Sequence, residues 1–244
     1  MRRGWKAYCV YCGSLADTRD HCPPKLLLER DYPPNLRTVR ACRTCNEGFS
    51  ADEEYFLTIL AQISTRSALV NKLTEGGSIA RALTHSPRLD QRIVGSLVVD
   101  PSGRVAIRPE MERLYRIVRK IAIGIYVLKY GRVPKSGSIN PVDIFPYDDE
   151  LRPPVPLVAA TYTERFLPKR WTRVQPGIFS YIIVRDPTDW GRLCCIMDFY
   201  ETAWGVAMFP QPTRWSKQQH RVAREQLDLL NELTAIYPRK RPSV

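Results

Sequence analysis

The sequence predicts an α+β fold: a cysteine-stapled finger at the N-terminus, a mostly helical region after it, then an antiparallel β meander closed by a final helix. Three observations predict this. Two C-x-x-C pairs frame residues 9–45. Apolar residues recur at helical spacing over residues 56–63 and again over 114–128. Three apolar, β-branched or aromatic runs separated by turns fill residues 178–209.

Composition bounds the answer. The chain has 244 residues, 37 Lys+Arg against 25 Asp+Glu, a formal net charge of +12 and 44% hydrophobic residues. That apolar content argues against a disordered polyelectrolyte. A chain of this length buries roughly 70–75% of its unfolded surface, so its core needs no disulfides. The longest apolar run, Ile121 to Leu128, falls far short of the ~20 residues that span a bilayer. The basic start, Met1 to Lys6, is not followed by the apolar stretch of a secretory signal, so a soluble cytoplasmic protein without membrane contact is expected. The positive balance favours a polyanionic partner, nucleic acid before an acidic membrane. It concentrates in residues 104–135, where Arg116, Arg119 and Lys120 are candidate phosphate contacts; a solvated helix face is the plainer reading of any one of them.

Seven cysteines cannot all be paired. Four of them form Cys9-Val-Tyr-Cys12 and Cys42-Arg-Thr-Cys45. In a reducing compartment two such knuckles read as a zinc site, because each supplies two thiolates, one edge of the tetrahedron that zinc prefers. Cys194-Cys195 lies inside an apolar run and reads as buried strand.

Between the knuckles stand Asp20-His21-Cys22-Pro23-Pro24 and Asn35-Leu36, and Asn46 directly follows the last knuckle cysteine. Asp20 offers a hard oxygen ligand for Mg²⁺. His21, one of three histidines in the chain, offers an imidazole able to take a proton near neutral pH. Asn46 offers an amide oxygen. Taken singly, Asp20 reads as a turn or cap residue, His21 as a satisfied loop histidine and Asn46 as a helix N-cap. Together between two knuckles they read as a site.

The order Cys-x-x-Cys, Asp-His-x-x-Pro, Asn-Leu, Cys-x-x-Cys-Asn resembles the HNH endonucleases, the ββα-metal or His-Me finger nucleases. It is closest to the subset stapled by a four-cysteine zinc. The resemblance covers about residues 5–57 and implies a zinc-stapled ββα-metal finger. It implies that His21 is the general base, that Asp20 and Asn46 hold a catalytic Mg²⁺ or Mn²⁺, and that Asn35 ties down the loop and orients the histidine. An H-N-N variant of this kind leaves the cation with few protein ligands. Arg43 and Lys25 are further candidate phosphate contacts. The expected activity is hydrolysis of phosphodiester bonds in DNA, with RNA not excluded. The alternatives are a non-catalytic zinc-finger module that binds nucleic acid, or a nuclease subunit active only in a defence or mobile-element complex, docked through residues 58–244.

The remaining elements follow in order. Ser50-Ala51-Asp52-Glu53 matches a capping box ahead of Phe56, Ile59, Leu60 and Ile63, so a helix starts or restarts there and extends past Ala68. Residues 78–92 read as a short helical region. Leu97–Val99, Asp100-Pro101-Ser102-Gly103 and Val105–Ile107 read as a hairpin. Pro109 opens a helix to about Tyr130, with Gly131 as its C-cap. The proline-rich stretch from Arg132 to Pro156 reads as a linker. Ile178–Arg185, Leu193–Tyr200 and Ala203–Phe209 form the meander, and Arg165 to Arg173 mixes charge with aromatics in a way that could grip a nucleic-acid backbone. Ser216 to Tyr237 forms the last helix. The expected division is 1–57 for the finger, 58–145 for the helical region and 146–244 for the β-rich part.

Overall fold

Strand β1 (Thr18–His21) pairs antiparallel with β2 (Thr38–Ala41), and the chain passes directly into helix α1 (Arg43–Gly48). This computed structural model describes residues 7–63, 87–99, 103, 105–134, 138–139, 142–146, 171–185 and 192–210. Ahead of β1, the first knuckle closes through Cys9 N–H to Ser14 O at 2.7 Å and Gly13 N–H to Cys9 O at 3.0 Å. Gly13 sits at φ +81°, a left-handed turn position that a side chain would strain. Helix α1 begins where Cys42, in extended conformation, accepts the Cys45 N–H on its sulfur. Helix α2 (Ser50–Ile63) restarts after Phe49, with Asp52 and Glu53 in the first turn where the helix dipole favours negative charge. A short helix α3 (Pro87–Gly95) precedes the hairpin β3 (Leu97–Val99) and β4 (Val105–Ile107).

Helix α4 (Met111–Tyr130) organises the molecule. Its stripe of Leu114, Ile117, Val118, Ile121 and Ile125 is buried, and Gly131 ends it in the left-handed conformation at φ +66°. Around it runs one continuous core, which takes Cys22 and Leu27 from the finger, Phe56 and Leu60 from α2, and Phe199 and Phe209 from the sheet. Two glycines permit close approach. A Cβ on Gly124 would stand 2.5 Å from the Cys22 sulfur, and one on Gly205 would stand 2.8 Å from the Phe199 ring. The Phe56 and Phe199 rings meet edge to face at 5.1 Å.

The sheet runs β5-β9-β8-β7-β6, built from β5 (Val142–Pro146), β6 (Thr172–Gln175), β7 (Phe179–Arg185), β8 (Arg192–Phe199) and β9 (Ala203–Pro210), with every neighbouring pair antiparallel. Residues 193–197 of β8 are all buried because both faces of the strand are covered. Cys195 faces the main core, while Cys194 joins a second cluster with Trp171, Ile182, Ile196, Val206 and Met208. At the β8–β9 turn Tyr200 and Glu201 take positive φ, +56° and +53°. Tyr200 is held there by its N–H to Ile178 O and by its hydroxyl to Leu27 O, both at 2.8 Å, the second tying sheet to finger.

Several expectations change. The stretch read as a linker contains β5, which pairs along its whole length with β9; Val142 and Ile144 are buried, so this is sheet and not a domain edge. The boundary expected at residues 145–146 therefore falls inside a strand. The segment Arg165 to Arg173, read as basic and aromatic, ends inside strand β6, which spans Thr172–Gln175. The finger does not stand apart, since its apolar residues share the core of the body. The extension of α2 beyond Ile63, most of the 78–92 helix, the 97–107 turn residues 100–102, the segment before Trp171 and the last helix lie outside the described residues. Among the described residues no helix is long and apolar enough to cross a membrane.

Candidate metal centre and hairpin site

The sulfurs of Cys9, Cys12, Cys42 and Cys45 all lie within 4.8 Å of one another. Cys12 and Cys42 approach to 3.6 Å. A tetrahedron of ~2.3 Å zinc–sulfur bonds has edges of about 3.8 Å, so the donor set and its spacing suit a metal such as zinc. All seven cysteines are free thiols. Hydrogen bonds from Ser14 draw the Cys12 thiol down to about 6, while burial and the neighbouring Cys12 and Cys42 raise that of Cys45. Four thiolates so close repel one another, and a bound divalent cation is what removes that repulsion. The cluster joins the first knuckle to the end of β2 and the start of α1.

The register of the hairpin sorts the remaining residues. Thr18 lies opposite Ala41, Arg19 opposite Arg40, Asp20 opposite Val39 and His21 opposite Thr38. Alternation puts Thr18, Asp20, Val39 and Ala41 on one face and Arg19, His21, Thr38 and Arg40 on the other. The first face looks inward: Val39 packs with Val10 and Val127. The second is the outer face, with Arg19 and Arg40 exposed and His21 partly so.

Asp20 is buried at 5% exposure. Its Oδ2 accepts from the Tyr11 hydroxyl at 2.8 Å and pairs with the Lys120 ammonium at 2.9 Å. Lys120 also binds Glu53, so a chain of Tyr11, Asp20, Lys120 and Glu53 links the knuckle, β1, α4 and α2. Burial, then the Asp20 charge, holds the Tyr11 phenol well above its usual range, which makes it a firm donor. Burial raises the Glu53 carboxyl, and the Lys120 charge opposes that rise. Asn46 donates through Nδ2 to Thr18 Oγ1 at 3.3 Å and to Arg19 O at 3.4 Å, which brings it against the peptide preceding Asp20. Each of these side chains is thus anchored by one atom, and Oδ1 of each carries no hydrogen bond among the described residues. A carboxylate and an amide oxygen are donors of the hard type, and the Lys120 ammonium already occupies the carboxylate.

Burial, then the Lys25 and Lys120 charges, lowers His21 below its ordinary value, and Asp20 opposes them. Asn35 is exposed in the turn before β2. The loop is tied to the strand end by backbone instead, through Cys22 N–H to Arg37 O at 2.9 Å. Of the candidate phosphate contacts, Lys25 is exposed beside the Tyr32 ring, and Arg119 is exposed on α4. Arg43 is exposed but pairs with Asp17 and Glu47 at 3.8 and 3.5 Å. Arg116 is half exposed and bound to Asp52 at 2.5 Å. Lys120 is a correction: at 2% exposure and locked between two carboxylates, it is a core ion-pair residue and not a surface contact. Sequence reasoning passed over Arg19 and Arg40, although the polar–apolar alternation of Thr-Val-Arg-Ala already marks Arg40 as outward.

Comparison of the chain with protein-family models, with curated proteins and with solved structures finds no match.

Proposed function

We propose that the chain is a zinc-stapled, divalent-metal-dependent endonuclease of the HNH type that hydrolyses phosphodiester bonds of DNA. The observation that carries this reading is the β1–β2–α1 unit closed by four cysteines, in which Asn46 hydrogen-bonds the peptide just before Asp20-His21. In this reading zinc staples the finger. Asp20 and Asn46 would be the residues that hold Mg²⁺ or Mn²⁺, which when bound would supply stabilisation of charge developing on the phosphate and the departing oxygen. His21 takes a proton from the attacking water. Its lowered pKa keeps the imidazole neutral near pH 7, the state a general base needs. Strand alternation sets His21 on the face opposite Asp20, so in this reading the phosphate meets both around the end of β1, where His21 is the last residue.

Plasmid cleavage with Mg²⁺, with and without EDTA, tests this reading. His21→Ala is expected to lose ~10²–10⁴-fold in rate with the zinc and fold retained. A variant as fast as the parent removes His21 from the mechanism.

A second reading, a nucleic-acid-binding finger without catalysis, is favoured by one contact: the Lys120 ammonium is already paired with Asp20, the carboxylate that would hold the cation. Cleavage-free binding by the parent protein in the presence of Mg²⁺ would select it.

A further inference from the structure

We propose that the outer face of the β1–β2 hairpin, centred on Arg19 and Arg40, is the surface that grips a nucleic-acid phosphate backbone. The proposal deepens the reading above, because His21 stands at the end of the same face.

The argument begins with a local cost. Arg19 and Arg40 are directly opposed in the antiparallel register, and like charges so placed destabilise a strand pair. Four other cations on or against the finger are matched. Arg43 has Asp17 and Glu47, Arg113 and Arg116 share Asp52, and Lys120 has Asp20 and Glu53. Arg19 and Arg40 form no ion pair among the described residues; Arg19 reaches only the Thr38 hydroxyl, at 3.3 Å. The face between them carries no carboxylate, for its four register positions are Arg19, His21, Thr38 and Arg40. Lys25 and Arg37, both exposed, follow β1 and precede β2.

Two arginines opposed in register, with no carboxylate against either among the described residues, are arranged for an anion from outside. The planar fork of Arg matches phosphate oxygens in pairs and remains charged at any working pH. The same four positions hold no large apolar side chain to enter a lipid boundary, so the chemistry favours a phosphodiester backbone over an anionic membrane.

The test is fluorescence anisotropy of a labelled DNA duplex, with RNA of the same sequence in a second arm, over a salt series without added magnesium. The proteins are the parent, Arg40→Gln, Arg19→Gln/Arg40→Gln, and Arg92→Gln as a control whose cation pairs with Glu110. Each lost phosphate contact lowers the slope of log affinity against log salt by about one unit. We expect a drop of about one for Arg40→Gln, about two for the double variant and none for the control. Arg40→Gln should also melt no lower than the parent, since it relieves an opposed pair and breaks no bond among the described residues. Unchanged slopes in both variants overturn the proposal. So does a loss of binding that is equal at every salt concentration and accompanied by a lower melting temperature, or binding of phosphatidylserine vesicles but of neither nucleic acid. Cleavage with Mg²⁺, measured on the same preparations, separates the two readings. A parent that binds without cutting sinks the endonuclease and leaves the surface. A parent that cuts, with salt slopes unaltered in the variants, sinks the surface and leaves the endonuclease.

Discussion

Lys120 of α4 and Asp20 of β1 form an ion pair at 2.9 Å, with both side chains buried. It joins the finger to the long helix, with Tyr11 donating to the same carboxylate oxygen and Glu53 accepting from the ammonium. Removing one member of such a pair leaves the other charge unpaired in a low-dielectric interior. Lys120→Met is therefore expected to destabilise the protein by about 3–5 kcal/mol in urea unfolding. Asp20→Asn/Lys120→Met should cost clearly less than the sum of the single changes. Additive losses would mean that the two groups do not act as a pair.

The four-cysteine cluster makes a stoichiometric prediction. Elemental analysis of purified protein should find about one tightly held zinc per chain, absent from Cys9→Ser and Cys45→Ser. Because these thiolates tie the first knuckle to β2 and α1, zinc loss should also unfold the finger, seen as lost near-ultraviolet dichroism from Tyr11 and its neighbours. A zinc-free protein with unchanged dichroism and stability would deny the metal a structural role.

His21 gives a pH signature. Its folded-state pKa lies below the ordinary 6.5, for which burial is the main cause. Between that lowered value and 6.5 the unfolded chain binds more protons than the folded one, so stability from this group rises with pH across the window. Histidine NMR should place its titration midpoint below 6.5, and the acid limb of any cleavage profile should fall there too. A midpoint above 6.5 would show that Asp20 dominates its surroundings instead of burial and the two lysines.

Gly124 lets α4 lie against the loop that follows His21. A Cβ there would meet the buried Cys22 sulfur at 2.5 Å. Gly124→Ala should overpack this junction and cost about 1–3 kcal/mol, with Cys22→Ala recovering part of the loss. The recovery is the informative measurement, since a general helix effect of alanine would not depend on residue 22.

Much of this architecture was legible one segment at a time. Helical spacing located α2 and α4, the positive-φ glycine marked the end of α4, and apolar runs with turn residues between them located β7, β8 and β9. The paired C-x-x-C spacing announced a metal-binding cluster, and the four sulfurs do converge. Strand β5 was hidden because it is short and bracketed by Pro141 and Pro146, which look like a linker, and only its partner β9 makes it sheet. Strand β6 was hidden by its charge, which an edge strand tolerates.

The hairpin site divides the same way. Chemistry-bearing types at Asp20, His21 and Asn46 could be read from spacing alone, since spacing is a local property of the chain. Which of them faces inward, and what meets it there, depended on α4, a segment distant in the sequence. A helical wheel puts Lys120 off the apolar stripe, among cations that look free to reach phosphate. In the folded protein it is drawn inside, because a buried carboxylate from the finger and a partly buried one from α2 need a counter-charge and α4 is the element that passes between them. Periodicity reports whether a side chain is apolar; it carries no information about the partner that makes burial of a charge affordable, and that partner exists only once the distant segments have packed.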